Sequence, residues 1–578
     1  MKRTRGEGFI LNKLLDYDQE VVKINQVSYT YDVRMFRNTF EYEFTYLNGF
    51  LRNVRRFAGK PALTCPLRGN TWTYAGLNQE CNRLAHALLA DGVGKNDVVM
   101  YQLLNSAEFV FLYLAPQKIG AINCPINFRI SPGETAYIID DSKPAVFFYD
   151  AEIRKTAEDA LNMARHKPRR VVMVDPLGKE KPFAGSIAFE DYVKGHPDYN
   201  PEISRPMHIY DENTRLYTSG TTGMPKGIPL NNINEVLSAH DVIMHFPLSP
   251  LDKTMNMSPW FHRGGLHSGG PNPTLYVGGE VVILRHFAPR ICLDYVEKYG
   301  ITFLIGAPPM LKLLHDFQAR NPRDLSRLKG IITMGAPLER EACIKFQQVL
   351  TPNIFNGYGT TEAFWNTFLR PYDLPQMAGS SGRACTDDDV AVVKVYPDRR
   401  AEPDDYVAKD GKEIGEIIVK APAKTTYSYI NNPEESERVF YKGWIYIGDL
   451  GVWDENEYIT VVGRKDDMII SAGENIYPDQ VEEVINQHPK VKESVVTGVP
   501  DKVRGEAVVA YVVKMDPSLT ARELDEHCRK HQALAMYKKP RYYRFVEELP
   551  FTATGKKMRY KVREQAVADQ QAGLLERA

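Results

Sequence analysis

The segment LYTSGTTGMPKGIPL, residues 216–230, gathers small and hydroxyl residues around a lysine, directly after apolar residues that read as a strand. Such a loop suits a polyphosphate: glycines let backbone N–H groups converge on the anion, hydroxyls add donors, and the ammonium offsets charge. Thr218, Ser219, Gly220, Thr221, Thr222, Gly223 and Lys226 are its candidate contacts. It is not the G-x-x-x-x-G-K-[ST] loop: counted from Gly220, Pro225 stands where the second glycine belongs, and Gly227 where the magnesium-binding hydroxyl belongs. On composition alone, a Gly-Thr surface turn is the commoner explanation.

Further along, NGYGTTE (356–362) reads as a strand end opening into a turn that displays an aromatic, two hydroxyls and a carboxylate. Tyr358 can stack on a base, and Glu362 can hold a hard cation against phosphates. GWIYIGDLG (443–451) sets Asp449 in a tight turn, where it is either a turn residue or an acceptor for a pair of hydroxyls. The charge run in VVGRKDD, with Arg464 and Asp466, reads as a solvated linker, which a hinge also is. Lys556 stands in a Thr/Gly loop within LPFTATGKKMRY, although most lysines are simply solvated. His262, among the aromatics and glycines of SPWFHRGGLHSGG (258–270), serves equally well as a reactive-site group or a satisfied core histidine. His267 has no motif support.

The elements that must hold these residues follow a βα rhythm. ECNRLAHALLADG and EFVFLYLAPQKIG have helical spacing with glycine stops, while VVMYQLL and AVFFYD are short buried strands. The rhythm returns in GEVVILRH, DYVEKYGITFLIGAP, LKGIITMG and NIFNGYG, which implies an α/β core of sheets packed with helices. After a polar stretch, PDQVEEVINQ and ARELDEHCRKHQ read as helices, and ESVVTGVP and AVVAYVVK as strands of a small separate α/β unit. The expected division is an extension over 1–50, a large domain over 51–464 and a small lid over 465–578.

Composition sets bounds on the function. Apolar residues make up 43% and charged residues 25% of the 578, and 72 basic against 73 acidic side chains leave a charge of −1. That balance excludes a global field for nucleic acid or an anionic membrane, so phosphate binding must be local. Seven cysteines without C-x-x-C spacing argue against a zinc cluster or disulfide framework and for a reducing, cytoplasmic setting. The basic start MKRTRGEGFILNKLL breaks at Asn12 and Lys13, so no export signal or membrane span is expected.

Taken in order, these blocks resemble the signatures of the adenylate-forming superfamily, which contains acyl- and aryl-CoA ligases, luciferases and peptide-synthetase adenylation domains. The likeness runs from TWTYAGL at 71 to TATGKKMRY at 552. It implies a large N-terminal domain with a small mobile C-terminal lid, and residue roles to match. The 216–230 loop binds phosphate, with Thr221 at the reacting centre. Tyr358 and Gly359 flank the adenine, Thr361 bonds phosphate, Glu362 holds magnesium, and Gly335, Ala336 and Pro337 line adenine and acyl group. Asp449 and Arg464 take the ribose, Asp466 is the hinge, Gly473 faces the pantetheine channel, and His262 lies near the reacting carboxylate. Pro550, Gly555, Lys556 and Arg559 satisfy P-x4-G-K-x2-R, with Lys556 bridging the attacking carboxylate and the α-phosphate. The chain departs from the family at Ile447, where threonine is usual.

The resemblance implies an AMP-forming ligase using ATP, Mg2+ and CoA, its wording nearest to medium-chain fatty and aromatic acid ligases. CoA is the expected acceptor because the sequence ends about twenty residues after Lys556, short of a carrier domain. A free-standing enzyme loading a carrier protein, luciferase-type oxidation and a non-catalytic nucleotide sensor share the same nucleotide motifs. The aromatics of the 1–50 extension suit a homo-oligomer contact.

Overall fold

The computed structural model describes residues 19–24, 27–32, 38–203, 207–219, 224–396, 399–471, 474–531, 534–551 and 557–577. The chain forms two compact units, one of residues 1–305, 324–328 and 422–433, the other of 306–323, 329–421 and 434–578.

In the first unit, a seven-stranded sheet runs in the order Pro225–Asn231, Glu212–Ser219, Ile122–Pro125, Val98–Gln102, Val146–Asp150, Arg170–Val174, Ile187–Ala188. Only the first pair is antiparallel; the rest are parallel, as βα crossovers require. Val98–Gln102 and Val146–Asp150 are buried at every position, matching the unbroken apolar runs that marked them as strands. The intervening helix Ala107–Lys118 is also buried throughout; Ser106 caps it, accepting from the Phe109 N–H at 3.2 Å, and Gly120 turns the chain out with φ 75°. Phe303–Gly306, Lys253–Asn256, Glu280–Val282 and Pro61–Cys65 pair in parallel, and Asn70–Thr73 returns antiparallel on the last.

The helix Tyr46–Arg56 begins this fold before the boundary expected at residue 50. Its Tyr46 and Phe50 are fully buried, and the Tyr46 hydroxyl donates to the Asn272 carbonyl at 2.7 Å. Upstream, Gln19–Ile24 and Val27–Asp32 pair as an antiparallel hairpin.

In the second unit, Gly330–Met334 and Ile354–Thr360 pair in parallel, and Phe364–Leu369 and Arg383–Ala384 continue antiparallel. An antiparallel sheet follows, ordered Asp389–Val393, Gly415–Lys420, Trp444–Trp453, Phe440–Tyr441, with Ile459–Arg464 also on Trp444–Trp453. The C-terminal sheet centres on Gly505–Lys514, flanked by Val491–Asp501, Ile469–Ser471 and Tyr542–Val546. Its central strand, Gly505–Lys514, alternates strictly between two faces. Val496, Val508, Ala510 and Val512 pack with Val481, Ile485 and Leu524 of the helices Pro478–Asn486 and Ala521–Lys530, while Val495, Val509, Tyr511 and Val513 pack with Val562 and Ala566 of Arg559–Gln571. This C-terminal layer thus carries a core on each of its two faces. The seven cysteines are buried, and none forms a disulfide among the described residues.

Candidate active site

Glu212–Ser219 and Pro225–Asn231 meet with Thr218 opposite Lys226 and Ser219 opposite Pro225, on either side of residues 220–223. Gly220, Thr221, Thr222 and Gly223 lie outside the described residues, as do Gly473 and Lys556. Lys226 is buried, its ammonium 5.8 Å from the centre of the Tyr429 ring, a cation–π separation. Nothing in the YSYINNP stretch marked Tyr429 beforehand; its partner is 203 positions away and only the fold brings them together.

His262 sits on the turn that opens the helix Arg263–His267, its ring 4.0 Å from that of Phe261. Its carbonyl accepts from the N–H groups of Gly265 and Leu266 at 3.0 and 2.9 Å. This tightness requires Gly265: a Cβ there would lie 1.9 Å from the Pro259 carbonyl oxygen. Behind the turn is a buried charged cluster that sequence reasoning missed. Arg263 donates to the Lys424 carbonyl at 2.6 Å and the Ser238 hydroxyl at 3.3 Å, and Lys424 and His245 each lie 3.0 Å from Asp241. The i,i+4 spacing of Asp241 and His245 on the helix Asn232–His245 was the available signal.

His267 is a core residue. It is fully buried with Glu235, its Nε2 3.0 Å from the carboxylate, which also accepts from the Tyr113 hydroxyl at 2.6 Å and the Asn272 amide at 2.8 Å. Burial alone pushes the Glu235 carboxyl up, but the facing imidazole and these donors outweigh it and hold the group below the ordinary carboxylate range.

In the second unit, Tyr358 and Gly359 occupy the end of Ile354–Thr360, and Thr361 and Glu362 the turn into Phe364–Leu369, with Glu362 buried. The return is close: a Cβ on Gly359 would stand 1.6 Å from the Phe364 carbonyl oxygen, and Phe364 itself takes φ 61°. A bulky residue in the left-handed region is stored strain, which clusters at functional turns. Gly335, with φ 82°, Ala336 and Pro337 follow the strand Gly330–Met334 as an accessible loop.

Three expected nucleotide residues come together. The Tyr358 hydroxyl donates to Asp449 Oδ2 at 2.8 Å, and Arg464 donates from Nη1 to Asp449 Oδ1 at 3.0 Å and from Nη2 to the Ile447 carbonyl at 2.8 Å. Antiparallel pairing of Trp444–Trp453 with Ile459–Arg464 puts Asp449 opposite Arg464, and Gly448 supplies φ 82° before the carboxylate. Burial, with the Asp449 carboxylate alongside, keeps the Tyr358 hydroxyl protonated well above the ordinary phenol range. Asp466 is exposed in the short 3-10 turn Lys465–Asp467. The arrangement can grip a diol through Asp449 and face a base with the Tyr358 ring.

The family described as AMP-binding enzyme matches residues 50–429, and that described as AMP-binding enzyme C-terminal domain matches residues 480–556. The chain is 30% identical over 521 residues to a fatty acid–[acyl-carrier-protein] ligase, ScoC, of Streptomyces coeruleorubidus, covering 88% of this chain and 94% of the relative. It is 31% identical over 519 residues to an indoleacetate–CoA ligase of Aromatoleum aromaticum, covering 88% and 95%. It is 30% identical over 540 residues to a long-chain-fatty-acid–CoA ligase of Bacillus subtilis, covering 89% and 93%. Among solved structures, the anthranilate CoA ligase AuaEII in complex with anthranoyl-AMP superposes with a TM-score of 0.80 at 27% identity, covering 91% of this chain and 98% of that one. The o-succinylbenzoate CoA synthetase MenE of Bacillus subtilis with ATP and magnesium ion gives 0.76 at 27%, covering 89% and 98%.

Proposed function

Because the chain belongs to the AMP-binding enzyme family and is an acid–thiol ligase of its acyl- and aryl-CoA ligase kind, we propose that it joins a medium-chain fatty or aromatic carboxylic acid to CoA through an acyl-adenylate, releasing AMP and pyrophosphate. The observation that carries this reading is the grip on Asp449. Its two oxygens are fixed by Tyr358 and Arg464, and each retains a lone pair with which to accept a ribose hydroxyl.

In the first half-reaction, a carboxylate oxygen of the acid attacks the α-phosphorus of ATP, the bond to the bridging oxygen breaks, and pyrophosphate leaves. Thr218, Ser219, Thr221, Thr222 and Lys226 hold the leaving group through N–H, hydroxyl and ammonium donors, and Lys556 draws the two anions together. Tyr358 faces the adenine, Asp449 and Arg464 fix the ribose, and His262 lies beside the incoming acid. Glu362, a carboxylate sunk into its turn, suits a magnesium ion, which takes one or two protein oxygens and fills its shell with phosphate and water; when bound, the ion neutralises phosphate charge. In the second half-reaction, the small domain turns about Asp466, the Gly473 loop lines the pantetheine path, and the thiol sulfur attacks the acyl carbon. AMP departs and the thiol proton is released.

The test is pyrophosphate release from MgATP with acetate, hexanoate, decanoate, palmitate and benzoate, each with and without CoA. CoA-dependent turnover with hexanoate, decanoate or benzoate is expected; no release with any acid would sink the reading. Release without CoA-thioester would favour a carrier protein as acceptor, a second reading supported by the acyl-carrier-protein ligase among the relatives.

A further inference from the structure

Arg559 opens the helix Arg559–Gln571, where a cation opposes the helix dipole, and no side chain caps that end. Helix stability therefore does not explain an arginine here. Its surroundings do. The guanidinium is largely buried; it donates from Nε and Nη2 to Glu482 Oε1 at 3.2 and 2.9 Å, from Nη1 to Asp467 Oδ2 at 3.3 Å, and from Nη2 to Asp479. Lys557 pairs with the other oxygen of Glu482. Glu482 is 2% exposed and is itself held by the Val496 N–H at 2.7 Å, so this anchor is rigid.

The same residues close the base of the segment that carries Lys556. Phe551 bridges Lys557, and the Met558 N–H donates to the Pro550 carbonyl at 2.9 Å. Pro550 and Phe551 are thus fastened to Lys557 and Met558, and through Lys557 and Arg559 to the helix Pro478–Asn486 and to Asp467. Asp467 immediately follows the hinge residue Asp466 in the turn Lys465–Asp467.

We propose that Arg559 is a positioning residue for adenylation, a strut that ties the base of the Lys556 loop to the first residue beyond the hinge, so that hinge rotation is delivered to Lys556 without slack. This rests on the acyl-adenylate reading given above. Placement of a bridging ammonium is sensitive to displacements of an ångström, and a loop freed at its base forfeits that placement while leaving thiol attack, which does not need Lys556, unharmed.

The test separates the half-reactions in Asp467→Asn, which removes only the hinge-side anchor, and in Arg559→Lys, which keeps the charge but loses the fork. Pyrophosphate release from MgATP with hexanoate or benzoate should fall about tenfold in Asp467→Asn and about a hundredfold in Arg559→Lys. Conversion of supplied hexanoyl- or benzoyl-adenylate to the CoA thioester should stay within about twofold of the parent. Parallel loss of both half-reactions, or adenylation unchanged in Asp467→Asn, would overturn the strut. Failure of the parent protein to release pyrophosphate with any acid would overturn the functional reading first, and the strut with it.

Discussion

Asp449 has both carboxylate oxygens engaged within its own unit, one by a phenol and one by a guanidinium. Tyr358 thereby does two separable things: its ring offers a face to the base, and its hydroxyl sets the rotation of the carboxylate that meets the ribose. Tyr358→Phe keeps the first and removes the second. A lost hydrogen bond of this kind is worth about 1 kcal/mol, so the KM for ATP should rise about fivefold with kcat nearly unchanged. The preference for ATP over 3′-deoxy-ATP should shrink by a similar factor; a preference identical to that of the parent would show that the hydroxyl does not serve the ribose. Ile447, where the family carries threonine, leaves this arrangement intact because Arg464 takes its backbone carbonyl, which any residue supplies. The motif residues were legible from their types, but the bond between Tyr358 and Asp449 was not. The two lie 91 positions apart on strands of different sheets, and only the fold brings them within reach.

At the scale of elements, the helix Asn232–His245, not singled out from its sequence, shows what local sequence encodes and what it does not. Its length and its cap, Asn231 accepting from the Asn234 N–H at 3.0 Å, follow from local sequence. Its burial of two acids does not, since Glu235 and Asp241 acquire their partners from His267, Tyr113, Asn272 and Lys424 on distant segments. The Glu235 carboxyl is held below its ordinary range in the folded protein. Stability from this group is therefore fully present above about pH 4.3, the value expected in the unfolded chain, and is lost as pH falls through the lower folded value. Glu235→Gln removes one partner of a buried pair and should cost about 3–5 kcal/mol at neutral pH, while flattening the acid limb of the stability profile. Urea melts of both proteins from pH 6 to pH 3 would check this, and parallel curves would refute the assignment.

At the scale of the whole molecule, the alternation of helices and strands revealed an α/β chain with a small C-terminal domain, because both depend on local periodicity. The partition into units was not legible: the two units interleave along the chain, with breaks near residues 305, 328, 421 and 434. Strand order explains why. Neighbours such as Glu280–Val282 and Pro61–Cys65 are more than two hundred residues apart, and no local pattern encodes that pairing. The same limit applies to function, since the phosphate loop at 216–230 and Lys556 stand far apart in the chain and are proposed to act on one bond. If Lys556 acts only while the carboxylate attacks ATP, Lys556→Ala should lower pyrophosphate release by about a hundredfold or more and leave thioester formation from supplied acyl-adenylate within about threefold. Equal loss in the two assays would mean that the lysine supports the fold or binds the adenylate throughout. The small domain would then have no alternating role, and hinge motion at Asp466 would be unnecessary to the reaction.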